Sequence, residues 1–225
     1  MLVLGIDEAG RGPVVGSMMI AGVLDTDRSN IAYSEMGCKD SKMLEPGERE
    51  RLSEKIRKRA KEIRFVEIPA DEIDFLRATI SLNEVEAKKI AELVGLFDEK
   101  PDKLIIDCPD TVPANFLRRL QKYLGPGVNA VIEHKADVNH PIVSAASIIA
   151  KVERDKSVRK LEKSYGPLGT GYPHDPLTIK FLEKCFADSK KFPPCVRKSW
   201  LTAQAIKDRE FQKTLGDYGE ESQSK

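Results

Sequence analysis

The sequence predicts an α/β fold, a sheet with helices on both faces. Two apolar, β-branched runs separated by glycines open the chain, segments of helical and strand-like periodicity then alternate, and Pro and Gly punctuate the joins. Residues 2–6 and 14–24 are the two opening runs, with Gly10, Gly12 and Gly16 between and within them, so they predict a β-hairpin. Residues 45–62 carry Leu52, Ile56 and Ala60 at helical spacing amid dense charge, which predicts an exposed amphipathic helix before a strand at 63–68. Residues 81–97 repeat Leu82, Val85, Ile90, Leu93 and Val94, and Ser81 and Glu84 have the spacing of a capping box. Short buried strands at 104–106 and 130–132 flank a helix at 113–124 that should stop at Gly125-Pro126-Gly127. A long helix begins at Pro141, where Ser144, Ala145, Ala146 and Ser147 allow close packing on a sheet.

Composition narrows the class further. The chain has 225 residues, 40% hydrophobic and 32% charged, enough for one large domain or a domain with a small helical annex. No apolar run approaches the roughly 18 residues needed to span a bilayer, so no membrane association is expected. The start, MLVLGID, passes straight from apolar residues to acids without the pattern of a signal peptide, which predicts a cytoplasmic protein. Cys38, Cys108, Cys185 and Cys195 lack the paired spacing of zinc sites and should be free thiols. Net charge is only +1, yet basic residues dominate residues 151–198 while acids gather near Asp7, Glu8, Asp107 and Asp137.

Those four acids follow strand candidates, where a sheet can bring distant residues together. Clustered carboxylates repel one another unless cations lie between them, and an oxygen-only donor set suits Mg²⁺ or Mn²⁺. Two such ions about 4 Å apart serve phosphodiester hydrolysis. Consecutive side chains of a regular strand face opposite ways, so Asp7 and Glu8 both reach a site only if the chain turns there or Glu8 offers its backbone carbonyl. Taken singly, each acid is as well explained as a solvated strand end or a helix cap.

Asp7-Glu8-Ala9-Gly10-Arg11-Gly12-Pro13 resembles the N-terminal motif of ribonuclease HII. Asp40-Ser41-Lys42, Ile106-Asp107, His134-Lys135-Ala136-Asp137, the run from Val143 to Val152 with Arg154-Asp155, and Gly169-Thr170-Gly171-Tyr172-Pro173 resemble further blocks of that family in its order. The last block is closest to the archaeal branch. The resemblance implies a ribonuclease H-like mixed sheet flanked by helices over residues 1–155 and a C-terminal helical subdomain over 156–207; the polar, poorly periodic end, clearest from Gly216, predicts a flexible tail over 208–225. The resemblance assigns metal ligation, with two ions in the active complex, to Asp7, Glu8, Asp107 and Asp137. It also implies a monomer that cuts the RNA strand of RNA/DNA hybrids and the 5′ side of ribonucleotides embedded in duplex DNA, leaving 3′-hydroxyl and 5′-phosphate ends.

Beside these family blocks, other residues acquire expected roles. Backbone groups of Gly10, Arg11 and Gly12 can approach a ribose closely enough to sense its 2′-hydroxyl; by itself the segment would be an ordinary turn. Tyr172 offers a ring to a sugar, although a lone tyrosine is more often core. Lys42 and Lys151 supply point charges for phosphate, and Arg11 and Arg154 could add bidentate contacts, unless Arg154 pairs with Asp155. His134, His140 and His174 are assigned no catalytic part. Two other classes compete: a related nuclease acting on DNA alone, which needs no 2′-hydroxyl sensor, and a non-catalytic binding subunit, in which loss of an acid is expected. Finally, Gln212, Leu215 and Tyr218 have the spacing of a peptide that binds the sliding clamp, proliferating cell nuclear antigen, with Gly219 where a second aromatic is usual. The alternative is a helix end that packs Phe211, Leu215 and Tyr218 on the enzyme's own core.

Overall fold

The computed structural model describes residues 1–38 and 44–221, with side chains described through residue 212. Five strands, β1 (Leu2–Ala9), β2 (Met18–Thr26), β3 (Glu62–Ile68), β4 (Lys103–Asp107) and β5 (Ala130–Glu133), form one sheet in the order β3-β2-β1-β4-β5. β1 runs antiparallel to β2, from Leu2 opposite Thr26 to Ala9 opposite Met19, and parallel to β4. β2 and β3 are antiparallel, and β4 and β5 are parallel. The helices are α1 (Ser29–Glu35), α2 (Pro46–Arg59), α3 (Ala70–Arg77), α4 (Leu82–Gly95), α5 (Pro113–Leu124), α6 (Ala136–Asn139), α7 (Pro141–Tyr165), α8 (Pro176–Ser189) and α9 (Leu201–Glu221).

The chain divides into two compact units. The first comprises Met1–Arg11, Met18–Ile68 and Thr79–Lys156; it contains the whole sheet. Val3, Ala21, Val23 and Ile105 of the sheet share a buried core with Leu52 and Ile56 of α2 and with Ile142, Val143, Ala146 and Ile149 of α7. Gly5 permits this approach. A Cβ there would stand 2.7 Å from the backbone carbon and oxygen of Ile142, closer than a side chain tolerates. α4 and α5 complete the unit, bound through Glu84, which accepts from Arg119 at 2.8 Å, Lys122 at 3.1 Å and Tyr123 at 3.0 Å. The second unit comprises Gly12–Ser17, Pro69–Ala78 and Ser157–Lys225, around a core of Val14, Val15, Leu168, Phe181, Leu182, Phe186 and Val196.

Several local expectations change. The second strand starts at Met18, not at residue 14, because Gly16 adopts φ +92° and the amides of Val14 and Val15 are taken by the Gly171 carbonyl at 2.8 and 3.2 Å. The expected β-hairpin is present as the antiparallel β1–β2 pair, but its connection runs from Gly10 to Ser17, and residues 12–17 of it belong to the second unit. Ser81 caps α4 by accepting from the Glu84 amide at 3.2 Å, while the Glu84 carboxylate serves α5. The full capping box falls instead at Glu45 and Glu48 of α2. α9 is continuous to Glu221, across the expected start of a flexible tail at 208. All four cysteines are free thiols, as expected. No helix among the described residues is long and apolar enough to cross a membrane.

Candidate active site

β1 stays paired to its last residue, so the chain does not turn between Asp7 and Glu8. The two carboxyl groups nevertheless meet at the strand end by a side-chain hydrogen bond, and a concavity lined by both also contains Ile6, Glu86 and Asp107. Neither a local turn nor the Glu8 carbonyl is needed to bring Glu8 to the group. β4 ends at Asp107, brought alongside by its parallel pairing with β1. Asp107 Oδ1 accepts from the Ala136 amide at 2.8 Å, which places Asp137, one residue on and only 4% exposed, in the first turn of α6. Thus Asp137 opens a short helix instead of closing a strand.

Desolvation and mutual repulsion dominate the electrostatics. Burial raises the Asp7 pKa well above the usual carboxylate range, helped by Glu8 and Asp107, against a hydrogen bond from Ser147. Glu8 is pushed up to about 7, first by desolvation and then by Glu86, while Arg11 opposes the shift. Such a group calls for positive charge. Among the described residues no three His, Cys, Asp or Glu side chains already form a metal cage. The donor chemistry still fits a hard divalent cation: the converging groups are all oxygens, and a cation would relieve the repulsion that raises Glu8.

The surrounding residues take up definite positions. Arg11 does not extend as a free phosphate contact; its guanidinium binds Glu86 of α4 and, at 2.7 Å, Asn83 Oδ1. Glu86, 1% exposed, was not anticipated. Its signal lay in a helical position four residues before Ile90 and seven before Leu93, on the buried stripe of α4. Ser147 has a second role beyond small size: its hydroxyl bonds Asp7 and accepts from Lys151 Nζ at 2.8 Å, so a lysine is held one helical turn from the acids. Asp155 pairs with Arg49 of α2 at 3.1 Å. Gly10 has φ +84°, a conformation other residues rarely adopt.

In the second unit, a Cβ on Gly12 would lie 3.3 Å from the ring of Tyr172, so glycine is what lets that ring lie close to the backbone. The Tyr172 loop is fixed by Gly171, whose amide donates to Thr178 Oγ1 at 2.9 Å, and by Asp175, which caps α8. His134 contacts the Thr111 carbonyl at 3.3 Å and His140 lies 2.9 Å from Glu133. Lys42 lies outside the described residues. Gln212 is exposed, whereas the side chains of Leu215 and Tyr218 lie outside the described residues.

Residues 4–203 match the family model described as Ribonuclease HII. The chain belongs to the ribonuclease HII family. A ribonuclease HII of Methanothrix thermoacetophila is 43% identical over 208 residues, covering 92% of this chain and 98% of the relative. The crystal structure of ribonuclease H2 from Pyrococcus horikoshii superposes with a TM-score of 0.86 at 40% identity, covering 93% of this chain and 98% of that one. The ribonuclease HII in a complex with PCNA from Archaeoglobus fulgidus gives 0.80 at 38% identity, covering 89% and 95%. These archaeal relatives agree with the branch suggested by Gly169-Thr170-Gly171-Tyr172-Pro173. Enzymes of the ribonuclease HII family cleave RNA in RNA/DNA hybrids, and this chain is a metal-dependent endoribonuclease with the ribonuclease H-like α/β fold.

Proposed function

We propose that the enzyme hydrolyses the RNA strand of hybrids and also incises duplex DNA on the 5′ side of an embedded ribonucleotide, leaving 3′-hydroxyl and 5′-phosphate ends. The observation that carries this is the meeting of Asp7, Glu8 and Asp107 at the ends of two neighbouring strands, where burial first and acidic neighbours second push Glu8 up to about 7. Asp7, Glu8, Asp107 and Asp137 hold two divalent cations, Mg²⁺ or Mn²⁺. Cations so held supply Lewis acidity and lower the pKa of water.

The chain's own residues do the rest. Ser147 steadies Asp7 and keeps the Lys151 ammonium at hand for a backbone phosphate. Lys42 adds a second cationic contact. The Gly10-Arg11-Gly12 backbone senses the 2′-hydroxyl, with Arg11 anchoring that segment to Glu86, and Tyr172 packs on the neighbouring sugar. The protein acts in the cytoplasm as a monomer. The tail, through Gln212, Leu215 and Tyr218, engages a sliding clamp, consistent with the clamp complex of the Archaeoglobus relative.

The test is a duplex containing one ribonucleotide, beside an all-DNA control, with Mg²⁺ or Mn²⁺. Cutting only the first, with 3′-hydroxyl and 5′-phosphate ends, is expected. A 2′,3′-cyclic phosphate would mean that the 2′-hydroxyl is the nucleophile and would overturn the mechanism.

A further inference from the structure

The second unit buries an arginine with unusual completeness. Arg197 is 0% exposed, which is costly for a permanent charge unless its donors are satisfied. Its Nε donates to the Gly16 carbonyl at 3.0 Å, and its own amide donates to the Val14 carbonyl at 2.9 Å. Three residues on, Trp200 Nε1 donates to the Gly12 carbonyl at 3.1 Å. The guanidinium carbons of Arg197 and Arg77 lie 4.8 and 4.7 Å from the Trp200 ring centroid, within cation–π range. α3 secures the same segment from its own side, because Asp74 accepts from the amides of Lys198 and Ser199 at 2.6 and 3.0 Å. The segment 12–17 is thus held at both ends, at Gly12 by an indole and at Gly16 by a guanidinium.

What is held is the backbone on which the Tyr172 ring rests. Gly12 meets that ring, and the amides of Val14 and Val15 bind the carbonyl of Gly171, next to Tyr172. A core arginine and tryptophan needed only for packing would not have to aim their N–H groups at two carbonyls of one short loop.

We propose that Trp200 and Arg197 are positioning residues that set the Gly12 backbone against Tyr172, and so tune discrimination between ribose and deoxyribose. The inference rests on the part given above to Gly12 and Tyr172. Neither side chain touches the reacting atoms. Their effect is on the placement of a sugar, to which turnover is sensitive at the scale of 1 Å or so.

The experiment uses the full-length enzyme. Trp200→Phe keeps a ring beside both arginines but removes the donor to Gly12, and kcat, KM and the melting temperature are compared with those of the parent and of Tyr172→Ala. On a single-ribonucleotide duplex, kcat should fall about tenfold with little change in KM or melting temperature. Arg197→Lys should show the same split. Equal, small losses on hybrid and single-ribonucleotide substrates that track a lower melting temperature would reduce both residues to packing and overturn the inference. If Tyr172→Ala is as active as the parent, the sugar-packing role fails first; if Tyr172→Ala is slow and Trp200→Phe is not, only this inference fails.

A measurement on the native side chain covers the case of a variant that does not fold. Trp200 is the one tryptophan of the chain. In the Asp7→Asn enzyme, its emission should change on binding the single-ribonucleotide duplex and stay as in the free protein, apart from general quenching, with the all-DNA duplex. Identical emission with both would also overturn the inference.

Discussion

At Asp7 three constraints meet: strand pairing up to Ala9, a hydrogen bond from Ser147, and repulsion by Glu8 and Asp107. Its identity was legible from the run of apolar residues before it and the glycine-flanked arginine after it. Glu86 was not, because a carboxylate inside an amphipathic helix reads as a solvated face until the fold shows its partner Arg11. Asp7→Asn should leave hybrid binding and the fold intact while cutting drops by on the order of a thousandfold or more. Activity within a few-fold of the parent, in a cleavage time course with Mg²⁺, would remove Asp7 from catalysis. Glu8 predicts a pH effect of definite sign. Its folded pKa of about 7 lies above the ordinary 4.5, so the folded state binds the proton more tightly. The contribution of Glu8 to stability in chelator is therefore fully present below pH 4.5 and is lost as pH rises through 7, opposite in sign to that of carboxylates held low, such as Glu84. Thermal melts across that range should show the decline, with a shallower one in Asp7→Asn and in excess divalent cation, which binds the folded site and takes the proton's place. Equal slopes for the parent and Asp7→Asn in chelator would mean that Asp7 and Glu8 do not crowd one another.

β1 and α7 are the elements that carry the site, and their contact depends on a residue with no side chain. The small residues 144–147 predicted that the start of α7 lies close on a sheet; the partner position, Gly5, was invisible within a strand pattern because glycine has no periodic signature. Gly5→Ala would drive a methyl group to within 2.7 Å of the Ile142 backbone. Since backbone cannot rotate away, the cost should be about 3 kcal/mol, seen as a fall of roughly 10 °C in melting temperature. Activity should suffer as well, as Asp7 lies two residues along β1 and Ser147 five along α7 from the contact. Gly47→Ala is the control, with nothing within 4 Å of the added methyl, and should leave the melt unchanged or slightly higher. Equal effects of the two substitutions would show that α7 does not press on β1. The elements that the sequence hid, α1 and α3, are short and lie between stronger signals. The misplaced start of β2 has a similar cause. Val14 and Val15 are β-branched and apolar, as a strand requires, but their amides are committed to Gly171 across the second unit's core, a long-range pairing that no local pattern reveals.

At the scale of the molecule, the sheet and its helices were legible because hydrophobic period switches from two to 3.6 at marked joins, whereas the two units interleave along the chain. Segments 12–17 and 69–78 join a unit made mostly of residues after 156, and contiguous boundaries drawn on sequence cannot express that. The end of the chain poses the last question. α9 runs through Glu221, so Gln212, Leu215 and Tyr218 lie on helical backbone, where residues three apart share a face. Phe211, 48% exposed, stacks edge-on against Phe186 at 5.8 Å. In the clamp proposal Leu215 and Tyr218 would fill a partner's groove, with Gln212 hydrogen-bonding beside it. Gly219 stands where such a peptide usually has a second aromatic, so affinity for one clamp subunit should be weak and gain from the clamp's several sites. Titrating the cognate clamp with a peptide of residues 207–225, and with its Leu215→Ala, Tyr218→Ala form, decides the matter. The native peptide should bind and the doubly substituted one should not. Indistinguishable titrations would return the tail to the core of the enzyme and leave the nuclease chemistry untouched, since none of the four acids lies within it.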